Sequence, residues 1–143
     1  MKQPRQIVLD TSVLIAALRS RRGASFRLLS LVGTSSAFEL NLSVPLVLEY
    51  EEVAKRPGLT ARLSVEAVDA VIDYLCAVSN RREVFFLWRP FLKDPKDDMV
   101  LELAVAAGAD TIVTFNLKDF AGTETFGLRA VTPQVFLQEI GER

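Results

Sequence analysis

The chain has no histidine, one cysteine and one tryptophan, and its 17 basic and 18 acidic residues leave a net charge of −1 at pH 7. Each shortage closes a class of chemistry. Without histidine there is no imidazole base to activate a serine or cysteine and no histidine-bound zinc. No side chain titrates near neutrality without help from its surroundings. The lone thiol, Cys76 in "VIDYLCAV", can form neither an internal disulfide nor a thiolate metal site, and it fits a reducing compartment. With charge balanced, no global basic field advertises a nucleic-acid partner, so such contacts have to come from local patches. No apolar run reaches the ~18 residues of a membrane span, and "MKQPR" has no apolar stretch to serve as a leader. The expectation is a cytoplasmic protein without membrane contact. If it is an enzyme, its working groups are carboxylates, hydroxyls, lysines and arginines. That set favours hard, oxygen-ligated cations such as Mg²⁺ or Mn²⁺.

What is present is a strongly apolar chain. Half of its 143 residues are hydrophobic, enough for one domain spanning residues 1–143 with a real core. "QIVL" reads as a buried strand and is followed by a helix over Thr11 to Ser20. "RRGASFRLLSLVG" suggests a second helix closed by Gly33. "AFELNL" alternates as a strand. "SVPLVLEYEEVAKRPG" reads as a helix capped by Ser43, with Pro45 in its first turn and Pro57–Gly58 as its stop. "SVEAVDAVIDYLCAVSN" is a helix capped by Ser64, and "EVFFLW" is a strand or extended edge segment. "DPKDDMVLELAVAAGAD" opens at Asp94–Pro95 and stops at Gly108, as a helix does. "TIVTF" and "LRAVT" are buried strands, and "PQVFLQEI" is the terminal helix. Alternating short strands and amphipathic helices predict an α/β fold with a mainly parallel sheet.

In such sheets ligands gather beyond the carboxyl ends of the strands. Asp10 follows "IVL", and Asn116 and Asp119 follow "TIVTF", so parallel strands deliver all three to one edge. Each acid also has a plain structural reading. Asp10 can cap the helix that begins at Thr11, and Asp94 can cap the one at Pro95. Asp97 suits the positive end of that helix, and Asn116 and Asp119 can close a short turn. Helix physics does not explain Asp97 beside Asp98, where like charges repel. Asp97 continues the stripe of Leu101 and Ala104, which leaves Asp98 as an exposed acid or a second ligand. In "LEYEEVAKR", Glu51 or Glu52 can pair with Lys55 or Arg56. Glu49 lies beside the inward stripe of Leu46, Tyr50 and Val53, at the margin of the same edge. Carboxylates gathered in one pocket repel, and a divalent cation reverses that cost. A site of that kind performs metal-assisted hydrolysis of phosphodiesters. Two other strand-end aspartate chemistries fit poorly. A haloacid-dehalogenase-like phosphatase needs an aspartate where Ser12 stands, and a phospho-receiver needs an acidic pair where Asp10 stands alone.

The segments "IVLDTSVLIAAL", "SVPLVLEYEEVAKRP", "DPKDDMVLELAVAAGADTIVTFNLKDF" and "VTPQVFLQEI" resemble the PIN-domain nucleases. The similarity is greatest to the VapC-like toxins of bacterial and archaeal toxin–antitoxin pairs. It runs in order along nearly the whole chain and is weakest between Thr60 and Phe91. The resemblance implies a three-layer α/β/α sandwich, an acidic metal pocket and Mg²⁺- or Mn²⁺-dependent endoribonuclease activity. By motif position, Asp10, Glu49 and Asp97 take the places of the first three metal-holding carboxylates, with Asp98 a rival for the third. The fourth falls either at Asn116, where many relatives carry an aspartate, or at Asp119 in "NLKDF"; Asp119 is favoured, with Asn116 assisting. Thr11 and Thr114 match supporting hydroxyls, and Ser12 stands where relatives usually carry an asparagine. On this reading Arg19, Arg21, Arg22 and Lys118 grip the RNA backbone. The resemblance also implies a homodimer and a small antitoxin partner. The alternative is a PIN-like module that binds RNA or a partner with little catalysis.

Overall fold

In a computed structural model that describes residues 3–60, 63–84 and 91–142, strand and helix alternate along the chain. The elements are β1 (Arg5–Leu9), α1 (Thr11–Arg19), α2 (Ala24–Leu31), β2 (Phe38–Leu42), α3 (Val44–Ala54), α4 (Val65–Val78), β3 (Asn80–Arg81) and α5 (Pro95–Ala106). There follow β4 (Thr111–Val113), two 3₁₀ turns at Leu117–Phe120 and Thr123–Phe126, β5 (Arg129–Val131) and α6 (Pro133–Glu139). The helix starts come from local chemistry. The Ser43 hydroxyl accepts the Leu46 N–H at 3.3 Å with Pro45 in the first turn, and Ser64 accepts from Ala67 at 3.1 Å. Asp94 accepts the Lys96 N–H at 2.9 Å ahead of α5. After α2, Gly33 takes φ +85°, and a side chain there would meet the Tyr74 hydroxyl at 2.7 Å. Only glycine suits both demands.

All the strand pairs are parallel, in the order β3-β2-β1-β4-β5. Parallel strands are covered on both faces, which is why Ile7, Val8 and Leu9 are all buried and read as an unbroken apolar run. The chain steps from β1 to β2 to β3 in one direction, then crosses to β4 and β5 in the other. With right-handed crossovers, the helices of the first two steps lie on one face and α5 lies on the opposite face. α6 returns to pack on α2, and α5 lies across β1, β4 and β2. The result is a three-layer α/β/α sandwich. Its order reverses between β1 and β4, where an open parallel sheet leaves a crevice at its carboxyl edge. No described helix is long and apolar enough to cross a membrane.

Residues 85–88 of "EVFFLW" lie outside the described residues, and Glu83 and Val84 are not in a strand. The edge strand comes earlier, at Asn80–Arg81, paired with Asn41 and Leu42. It is fastened by polar side chains: Asn80 donates to Gln6 at 3.0 Å and to Glu39 at 2.9 Å, and Arg82 donates to Asn41 at 2.9 Å. Such an edge has no apolar periodicity to announce it. Of the expected pairs on α3, Arg56 joins Glu52 at 2.9 Å, while Lys55 reaches Asp69 on α4 at 2.6 Å.

One buried bond ties α3 to the carboxyl end of β1. Tyr50, 1 % exposed, donates its hydroxyl to the Leu9 carbonyl at 2.5 Å. Burial, with the nearby Asp10 charge, raises the phenol's pKa and keeps it a donor. Tyr50→Phe leaves that carbonyl without its partner and should cost about 1–2 kcal/mol. The check is a lower urea midpoint at unchanged slope; an unchanged midpoint contradicts it.

Candidate metal centre

Strand register sets the first acid. Leu9 pairs with Val113, and the Asp10 N–H donates to the Val113 carbonyl at 2.9 Å, so Asp10 and Thr114 leave the sheet side by side. Asp10 occupies the N-cap position of α1, yet its carboxylate makes no capping bond. Its Oδ2 accepts instead from the Thr114 hydroxyl at 2.7 Å and from the Ser12 hydroxyl at 2.9 Å. Those hydroxyls are held in turn. Ser12 Oγ accepts the Phe115 N–H at 3.4 Å, and Thr114 Oγ1 accepts the Asn116 N–H at 2.9 Å. The start of α1 and the loop after β4 are thereby laced together around a carboxylate that is 7 % exposed.

The other acids arrive from separate elements. α3 carries Glu49 beside the anchored Tyr50, and Lys96 Nζ stands 3.8 Å from Glu49 Oε1. The first turn of α5 carries both Asp97 and Asp98, which part company. Asp98 is buried, and its Oδ1 accepts the backbone N–H groups of Phe91 at 3.1 Å and Leu92 at 2.9 Å. It is therefore not the exposed member of the pair, and it fixes the chain entering α5. Asp97 faces the crevice. Asp10, Thr11, Ser12, Glu49, Asp94, Asp97, Asn116 and Asp119, with Arg19, Arg56 and Lys96, line one cavity of about 440 Å³ at the strand ends. Burial first, then the charges of Asp10, Asp94, Asp119 and Asp98, push the Asp97 carboxyl up to about 7. Both effects favour the protonated form.

Not every expected residue meets there. Thr114 is buried beneath the cavity and touches it through Asp10. Lys118 is exposed on the 3₁₀ turn that carries Asp119 and does not line the cavity. Arg21 and Arg22 line a different cavity, of about 770 Å³, together with Arg27 of α2 and Gln134 of α6. Of the four basic residues, only Arg19 reaches the acids. Conversely, Asp94, Arg56 and Lys96 line the acidic cavity without having been singled out for it. Asp94 was accounted for by its cap alone. Lys96 left one signal, a cation in the first turn of a helix, where the dipole disfavours it.

The donor set is chemically right for a hard divalent cation: carboxylate and amide oxygens, with no soft ligand among them. Among the described residues, no three acidic side chains already stand at cation-ligating spacing. Carboxylates gathered in one cavity repel one another. A divalent cation reverses the sign of that repulsion.

A family model described as "PIN domain" matches residues 6–118. Among solved structures, the chain resembles VapBC2 from Rickettsia felis, determined bound to a DNA fragment from their promoter. The TM-score is 0.57 at 16 % identity, covering 87 % of this chain and 96 % of that one. At that identity the likeness concerns the fold. No curated protein matches the chain.

The raised carboxyl carries a pH dependence. Between the ordinary aspartate value of 3.8 and about 7, the folded metal-free protein holds a proton on Asp97 that the unfolded chain has released. Stability therefore falls as pH rises through that window. Asp97→Asn cannot ionise. Thermal melts in chelator should show it a few degrees more stable than wild type at pH 8 and equal to it at pH 4. A wild-type melting temperature that rises relative to Asp97→Asn across that window would contradict the electrostatic reading.

Proposed function

The chain belongs to the PIN-domain family, and from that premise we propose that it is a Mg²⁺- or Mn²⁺-dependent endoribonuclease, the toxin of a toxin–antitoxin pair. The observation that carries this reading is the acidic cavity at the β1–β4 carboxyl edge, where burial and then the neighbouring carboxylates raise Asp97 to about 7. Asp10, Glu49, Asp97 and Asp119 are the residues that would hold the cation. When bound, the cation polarises the phosphodiester and eases deprotonation of an attacking water. The chain's own groups prepare that chemistry. Thr114 and Ser12 fix the orientation of Asp10 through Oδ2, so one oxygen is committed to the scaffold. Asn116, its backbone N–H held by the Thr114 hydroxyl, lines the cavity. Asp98 anchors the entry to α5 and so sets where Asp97 stands. Thr11 offers a hydroxyl at the cavity wall. Arg19, which lines the cavity, supplies positive charge for the phosphates of a strand crossing it, whereas Lys118, Arg21 and Arg22 do not line this cavity.

The shared fold with VapBC2 supports a small antitoxin partner, and the same reading carries a homodimer and a cytoplasmic location. A second reading, a PIN-like module that binds RNA or a partner without efficient turnover, draws on the absence, among the described residues, of three acids at ligating spacing.

Cleavage of single-stranded RNA separates the two. Purified protein with Mn²⁺ should cut, and chelator should stop it. Asp10→Asn should lower the rate at least about a hundredfold while its circular dichroism stays that of wild type. Identical lanes with metal and with chelator would move the protein to the binding-module reading.

A further inference from the structure

The acidic cavity contains a cation of its own. Lys96 Nζ lies 3.8 Å from Glu49 Oε1; the Glu49 side chain is 12 % exposed and that of Lys96 is 52 % exposed. Lys96 follows Pro95 in the first turn of α5, and Asp94 accepts its backbone N–H. Helix physics gives no reason for a lysine there, because the N-terminal end of a helix already carries partial positive charge. The position does offer acidic neighbours, since Glu49, Asp94 and Asp97 line the same cavity. The separation exceeds a hydrogen bond, so the pairing is coulombic and loose. A flexible four-carbon stem lets the ammonium turn outward without disturbing α5. Arg56, also at the cavity, differs in being paired with Glu52 at 2.9 Å.

We propose that Lys96 is a positioning residue, an internal counter-ion that keeps Glu49 turned into the cavity until a divalent cation displaces its ammonium. The proposal rests on the metal-dependent reading of this cavity. Without metal, the ammonium offsets one charge in a pocket where carboxylates already repel. As the divalent cation takes Glu49, it repels the ammonium, whose half-exposed position leaves it an open way to solvent.

The test is Mn²⁺ affinity, by calorimetry and by Mn²⁺-induced thermal shift, for wild type, Lys96→Met, Lys96→Arg and Arg56→Met. The Lys96→Met change is also placed in a Glu49→Gln background. Lys96→Met should bind Mn²⁺ about three- to fivefold more tightly than wild type, because the competing cation is gone. Lys96→Arg should return the affinity to the wild-type value, and Arg56→Met should move it less than Lys96→Met does. In Glu49→Gln the gain from removing Lys96 should vanish, since the lysine acts through that carboxylate. Wild-type affinity in Lys96→Met overturns the proposal. So does an equal gain with and without Glu49, which would make Lys96 only a distant charge. If wild type itself binds no Mn²⁺, the metal-dependent reading falls and takes this proposal with it; wild-type binding without a Lys96 effect removes the proposal alone.

Discussion

Like charges held together at the ends of two neighbouring parallel strands are the constraint to which the rest of this molecule answers. The β1–β4 register brings Asp10 and Thr114 off the sheet side by side, and α3 and α5 bring Glu49 and Asp97 to the same crevice. A compact domain gains nothing from such crowding. Burial and mutual repulsion make Asp97 hold its proton, and they disfavour the folded state wherever it is ionised. A multivalent cation is the kind of partner that reverses the sign of such repulsion.

The surroundings are built to tolerate that crowding. Asp10 is laced to both adjoining loops by hydroxyls that donate to one of its oxygens, so its position does not depend on a ligand. Tyr50 fastens α3 to the strand end just before Asp10, which fixes the backbone from which Glu49 projects. α5 carries Asp97 on a helix whose Val100, Leu101, Leu103 and Ala104 are all buried, so its first turn cannot drift from the crevice. Asp98, adjacent in sequence, spends its charge on two backbone N–H groups inside the protein. Two neighbouring aspartates thus serve opposite ends: one stabilises the scaffold and the other is strained by it.

Much of this was legible in the sequence, for identifiable reasons. Buried parallel strands such as Ile7–Leu9 and helices started by Ser43, Ser64 and Asp94 leave local signatures, and the acids fall at strand ends because the fold is α/β. What escaped was set by contacts distant in sequence. The β3 edge is made by Asn80, Gln6 and Glu39, whose bonds have no periodicity. The bonds that orient Asp10, from Ser12 and from Thr114 across 104 positions, leave no local signal that sets them apart from a helix cap. The split between Asp97 and Asp98 depends on where Phe91 and Leu92 pass. "RSRR" read as one basic patch, but the turn between α1 and α2 sends Arg19 to the acids and Arg21 and Arg22 to another cavity.

The central claim is that these carboxylates form one seat for a divalent cation, and diffraction from Mn²⁺-soaked crystals addresses it directly. Anomalous difference maps should show manganese in the crevice between β1 and β4, with oxygen atoms of Asp10 and Asp97 among its ligands. Manganese bound only elsewhere on the surface, or absent from the crevice at millimolar concentration, would contradict the account.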